Sequence, residues 1–176
     1  MQIIKIPVGY LEANCYIVFS KKNRDAVIID PGGDADLILS AINKNQLKPL
    51  IVINTHNHFD HIGANKEITE RFKINLFVPD KDGQIEIFGS HKIKFILTPG
   101  HTSDGICLHI ENHLFSGDTL FAGSIGRTDI GGNTKQILQS IKTRIFTLPK
   151  ETIVHPGHGP DTTVEEEMSN NPFFNG

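Results

Sequence analysis

Cysteine is scarce: Cys15 and Cys107 stand far apart and form no CxxC pair. Their spacing argues against a disulfide framework or a cysteine-based zinc knuckle and leaves both thiols as small buried hydrophobes. Long apolar runs are also missing. The opening Met1-Gln2-Ile3-Ile4-Lys5-Ile6-Pro7 has neither the basic region nor the extended apolar core of a secretion signal, and no later stretch is long enough to span a bilayer. A cytoplasmic location with no membrane partner is therefore the expectation. Basic charge is not in excess either. With 17 Lys and Arg against 20 Asp and Glu, the net charge is −3, which offers no field for a phosphate backbone and argues against nucleic acid as a partner. There is no internal repeat, low-complexity tract or linker, so 176 residues are expected to form a single domain over 1–176.

What the chain does hold is nine histidines, set among short apolar runs. The runs Asn14 to Phe19 and Ala26 to Asp30, separated by the polar Lys21 to Asp25, have the pattern of a hairpin. Pro31-Gly32-Gly33 stops the second strand. Asp34 is placed to cap a helix whose apolar positions Leu37, Ile38, Ala41 and Ile42 fall at helical spacing, and a buried strand Leu50 to Ile53 follows. Two more hairpins are expected about Gly89-Ser90 and Glu111-Asn112. A second helix, capped by Asn133 or Thr134, would carry Ile137, Leu138, Ile141 and Ile145 on one face. A last short one would start with Thr163 and Glu166 as a capping box. Hairpin-rich sheet with helices means an α+β or layered α/β class.

The chemistry gathers in Thr55-His56-Asn57-His58-Phe59-Asp60-His61, directly after an apolar strand and before the helix-like Gly63 to Ile68. Three imidazoles and a carboxylate on one turn suit zinc, iron or manganese. Three further segments repeat a local grammar of apolar run, glycine and ligand-type residue, ending in His101, Asp118 and His158. Glycine permits the bend that turns a side chain off a strand end, so four strand ends each deliver ligands. His91, His109, His113 and His155 lack that context and read as surface or supporting residues, His155 being best placed to orient a ligand because of its closeness to His158. Asp30 reads as a turn or supporting residue, and Arg127 with Asp129 as a loop-locking ion pair in preference to a substrate contact.

The pattern HxHxDH followed by His101, Asp118 and His158 resembles the metallo-β-lactamase superfamily. Gly117-Asp118-Thr119-Leu120-Phe121, Gly126-Arg127-Thr128-Asp129 and Pro156-Gly157-His158-Gly159-Pro160 are most similar to its short, single-domain glyoxalase II-like hydrolases. The resemblance implies a four-layer αβ/βα sandwich binding two divalent metal ions, zinc first with iron or manganese as alternatives. It implies that His56, His58 and His101 hold the first ion, that Asp60, His61 and His158 hold the second, and that Asp118 bridges them. A hydroxide shared by the ions would attack the carbonyl of hydroxyacylglutathione or a related small thioester, with Asp60 as the catalytic residue orienting it. A thiolate leaves with little protonation, since a free thiol has a pKa of about 8.5, which suits a chain with no evident general acid. The chain ends before the helical domain with which longer relatives hold glutathione. Three alternatives stay open: a mononuclear iron persulfide dioxygenase of the same superfamily, a metallo-nuclease, and a non-catalytic metal-binding module.

Overall fold

The computed structural model describes residues 1–175. Its contacts divide the chain into two compact units, Met1–Pro79 with Glu86–Ile93, and Asp80–Ile85 with Lys94–Gly176.

The first unit is built on a five-stranded sheet of order β1-β2-β3-β4-β5. The strands are β1 (Gln2–Val8), β2 (Ala13–Phe19), β3 (Asp25–Ile29), β4 (Lys48–Ile53) and β5 (Asn75–Phe77), and the helices are α1 (Ala35–Lys44), α2 (Phe59–Ile62) and α3 (Asn65–Phe72). The first three strands pair antiparallel, whereas β3–β4 and β4–β5 are parallel. Parallel neighbours need a crossover, and α1 supplies one while α2 and α3 supply the other. Every residue of β2 is buried. Ile17, Ile28 and Val52 pack with Ile38 and Ile42 of α1 and Ile68 of α3 in one core cluster.

Two expectations for α1 are corrected here. Asp34 stands at its N-cap in the left-handed region (φ 43) and makes no side-chain cap bond; its carboxylate instead accepts from the Gly9 amide at 2.7 Å. Leu37 is exposed, and the buried stripe is Ile38 and Ile42.

The second unit carries most of a six-stranded sheet of order β13-β12-β9-β8-β7-β6. These strands are β6 (Ile85–Phe88), β7 (His91–Leu97), β8 (Ile106–Ile110), β9 (His113–Gly117), β12 (Ile153–Pro156) and β13 (Thr162–Thr163), with a small hairpin of β10 (Leu120–Phe121) and β11 (Ser124–Ile125). The turn joining β6 to β7 groups with the first unit, where Phe88 meets Phe77 edge-on with ring centroids 5.1 Å apart. Strands β9 and β12 pair in parallel and are bridged by α4 (Thr134–Ser140) and a π-helical turn over Ile141–Ile145. The expected helix thus changes character half-way: Phe146 N–H donates to Ile141 O, five residues back, at 2.9 Å. In an α-helix a four-residue spacing overshoots one turn, and the wider turn keeps Ile145 aligned with Ile137 and Ile141. All three are buried in the core cluster with Leu114 and Val154.

Asn133 caps α4, accepting from Gln136 N–H at 3.0 Å. Thr163 caps α5 (Val164–Asn170), accepting from Glu166 N–H at 3.1 Å. The Glu166 carboxylate turns to Asn170 at 2.9 Å. A last turn, α6, covers Pro172–Asn175. Among the described residues no helix is long and apolar enough to cross a membrane.

Candidate metal centre

In the first unit the ligand-type residues follow the end of β4. Asn54 ties that end down: its amide donates to His61 O at 2.8 Å and its carbonyl accepts from Asn65 at 2.7 Å. The short helix α2, which the sequence pattern did not reveal, carries Asp60 and His61. It sits against the loop after β3 so closely that a Cβ on Gly32 would lie 1.6 Å from Asp60 O. Glycine at 32 therefore does more than stop a strand; it lets the backbone of α2 approach.

Asp30 organises these rings. It is buried, with φ 51, and its carboxylate accepts from Thr55 N–H at 2.7 Å, Thr55 Oγ1 at 2.6 Å and His61 Nδ1 at 2.9 Å. Because a carboxylate only accepts, His61 Nδ1 carries a hydrogen and the neutral ring keeps its lone pair on Nε2. The Thr55 hydroxyl has given its one hydrogen to Asp30, so at 3.1 Å it accepts from His56 Nδ1, which leaves the lone pair of His56 on Nε2 as well. That Nε2 lies 3.0 Å from His58 Nδ1, a separation that needs a proton or a cation between the two nitrogens. His61 Nε2 lies 3.8 Å from Asp60 Oδ2.

In the second unit each predicted residue follows a strand end. His101 comes after β7 and Gly100, whose φ is 146 and whose added Cβ would lie 2.3 Å from Ile137 N. The ring of His101 is oriented by the Arg127 carbonyl, 2.7 Å from Nδ1. A carbonyl only accepts, so this lone pair too sits on Nε2. Asp118 follows β9 through Gly117 (φ 49), and Gly126 backs it so tightly that a Cβ there would lie 1.7 Å from Asp118 O. His158 follows β12, whose Gly157 N–H donates to Gly117 O at 2.8 Å, tying the two loops together.

Asp118 Oδ2 stands 3.6 Å from His101 Nε2 and 3.8 Å from His158 Nε2. These are long for hydrogen bonds. Two metal–ligand bonds of about 2.1 Å meeting at a tetrahedral or wider angle span roughly 3.4–3.8 Å, so the spacing, like that of Asp60 and His61, fits a cation. Imidazole Nε2 atoms with Nδ1 anchored by oxygen, beside carboxylates, are the donor chemistry of zinc or iron sites.

The other candidates fall elsewhere. Arg127 and Asp129 form an exposed bidentate pair at 2.8 and 2.6 Å, and the pair holds the Asp129 carboxyl down at about 2. It is the backbone of Arg127, with no sequence signature, that touches His101. His91 is buried and lies 3.0 Å from the Asp25 carbonyl, which corrects a surface reading. His109 is half-buried in β8 opposite Lys94, and burial, then Lys94, push its pKa down. Cys15 and Cys107 are both buried; burial pushes the Cys107 thiol up to about 11.

The family model of the Metallo-beta-lactamase superfamily matches residues 8–85 and 78–158. The chain is 35% identical to "Probable metallo-hydrolase YqgX" of Bacillus subtilis (strain 168), over 98% of this chain and 97% of that protein. It is 30% identical to hydroxyacylglutathione hydrolase GloC of Haemophilus influenzae, over 99% of each. Among solved structures it is similar to the BLEG-1 B3 metallo-β-lactamase, with a TM-score of 0.93 and 34% identity over 99% of this chain and 100% of the other. ETHE1 from Myxococcus xanthus gives a TM-score of 0.91 and 31% identity over 98% and 84%. TTHA1623 in a di-iron-bound form gives 0.87 and 31% over 97% and 99%. Two sheets with helices, in one mixed α/β chain, match the sandwich fold of these structures.

Proposed function

The chain belongs to the metallo-β-lactamase superfamily, and from that premise we propose that it is a two-metal hydrolase of small thioesters, with hydroxyacylglutathione as its substrate type. His56, His58 and His101 would hold one ion, Asp60, His61 and His158 the other, and Asp118 both. The observation that carries this reading is the single Asp118 oxygen facing two imidazole Nε2 atoms at 3.6 and 3.8 Å, an arrangement suited to sharing between two ions. The similarity to GloC, which is matched over 99% of its length, supports the thioester.

When bound, the ions supply acidified water and a Lewis acid for the carbonyl. Asp60 accepts a hydrogen bond from the attacking water and aims its lone pair. Asp30 and the Arg127 carbonyl keep the protons of His61 and His101 on Nδ1, so the rings hold their lone pairs outward through the reaction. No side chain need protonate a leaving thiolate at neutral pH.

The test compares kcat/KM for lactoylglutathione, a simpler lactoyl thioester, a β-lactam and a phosphodiester at equal metal loading. The thioesters should exceed a shape-matched amide or lactam by at least about 100-fold, the lower end of what a missing general acid costs, and shortening the thiol should change KM only modestly. A lactam or phosphodiester as best substrate refutes the assignment. A second reading, oxygenation of a persulfide at one iron, is favoured by the likeness to ETHE1. It would be recognised by one iron per chain and oxygen uptake with a persulfide.

A further inference from the structure

The residues from His155 to Asp161 form a loop with His158 at its middle. Both flanks of that residue are glycines, Gly157 and Gly159, the latter at φ 76, so the loop backbone has unusual freedom. Its front end is fixed by the bond from Gly157 N–H to Gly117 O at 2.8 Å. Its base is closed by a side-chain contact, the Asp161 carboxylate accepting from His155 Nδ1 at 2.9 Å. The β12–β9 register shifts between His155 and Pro156, and such a bulge re-aims the chain that follows it. The His155 ring is itself immobilised. It is buried, nearly parallel to Phe115 with centroids 4.9 Å apart, and its Nε2 lies 2.9 Å from His113 Nδ1. Since Asp161 only accepts, the neutral His155 ring donates from Nδ1 and accepts at Nε2 from His113. The bonds therefore run in one direction, from His113 through His155 to Asp161.

We propose that Asp161 and His155 are positioning residues for His158, a clamp across the base of the His158 loop that sets where the imidazole stands and so the affinity of the second ion. The inference rests on the two-metal reading. His113 backs the clamp from β9, the strand that also leads to Asp118, so two of the ligand-bearing strand ends are coupled through it.

The test uses the metal-loaded full chain, competed with a zinc chelator of known affinity, for wild type, Asp161→Ala and Asp161→Asn, with melting followed in parallel. Loss of the clamp should weaken one of the two ions by about 10- to 100-fold, the usual cost of losing an outer partner. The other ion should stay within about twofold, and melting of the stripped protein should barely move. Asparagine, which still offers a carbonyl to His155, should recover part of the loss. A clamp that served only the fold would lower melting and leave both affinities as in wild type, and that result overturns the proposal, as does any Asp161→Ala protein in which neither site weakens. If the alanine variant does not fold, the asparagine variant decides: a loss of about threefold or more is expected, and no loss overturns it. A wild-type chain that takes one ion refutes the two-metal reading and this inference with it. Two ions in wild type with unaltered variants refute the clamp alone.

Discussion

Asp30→Asn is the sharpest perturbation the structure offers, because it changes protons while conserving shape. Asparagine tolerates the left-handed backbone at φ 51, so the effect cannot be laid to strain. One amide oxygen can still accept from Thr55 N–H, but the NH2 group now takes the place of the oxygen that faced Thr55 Oγ1 at 2.6 Å and His61 Nδ1 at 2.9 Å. His61 Nδ1 must become an acceptor, which moves its hydrogen to Nε2. The Thr55 hydroxyl must accept as well, so its own hydrogen turns toward His56 Nδ1, 3.1 Å away, and the hydrogen of that ring also moves to Nε2. One isosteric change thus blocks the coordinating nitrogen of two rings. Each ion should lose about 10- to 100-fold in affinity, measurable by chelator competition at pH 7.

The same change replaces three charge-assisted bonds by neutral ones, a loss of about 1 kcal/mol each. Relief of carboxylate desolvation offsets part of this. A net cost of roughly 2–3 kcal/mol would lower Tm of the metal-free protein by about 5–10 °C at this chain length. Affinities within twofold of wild type would refute the tautomer argument, and an unmoved Tm would refute the ledger.

Asp118→Ala should abolish activity and at least one bound ion, whereas His109→Ala, in a strand with no bend to aim it, should leave both nearly intact by elemental analysis and assay. Equal losses would mean that the ligand set is misplaced. Asp60→Asn should lower kcat by about 100-fold or more while changing KM little, and unchanged turnover would remove it from the mechanism. Burial holds the Cys107 thiol at about 11, above its unfolded value, so the folded state keeps that proton more tightly. This contribution to stability is complete below about pH 8.5 and fades as pH rises toward 11, by about 3 kcal/mol in all. Denaturant midpoints of wild type should fall over that range more steeply than those of Cys107→Ala; parallel curves would show that the thiol titrates normally when folded.

Several features of this protein are decided within a few residues. The caps Asn133 and Thr163 bond as their sequence contexts require, the hairpins turn where polar residues interrupt apolar runs, and HxHxDH collects its rings on one loop because the ligand types are neighbours in the chain. Through-space contacts decide the rest. Asp30 reaches His61 across 31 positions, Arg127 serves His101 with a carbonyl that any residue would possess, and Asp34 leaves its own helix to meet the Gly9 amide. Leu37 follows the helical period yet stays exposed, while Ile38 and Ile42 are the positions of α1 that the core buries. A sequence pattern records which atoms can donate, accept or ligate. Which hydrogen sits on which nitrogen depends on what packing brings within 3 Å, and that was settled only when the strands and helices closed around Asp30 and Arg127.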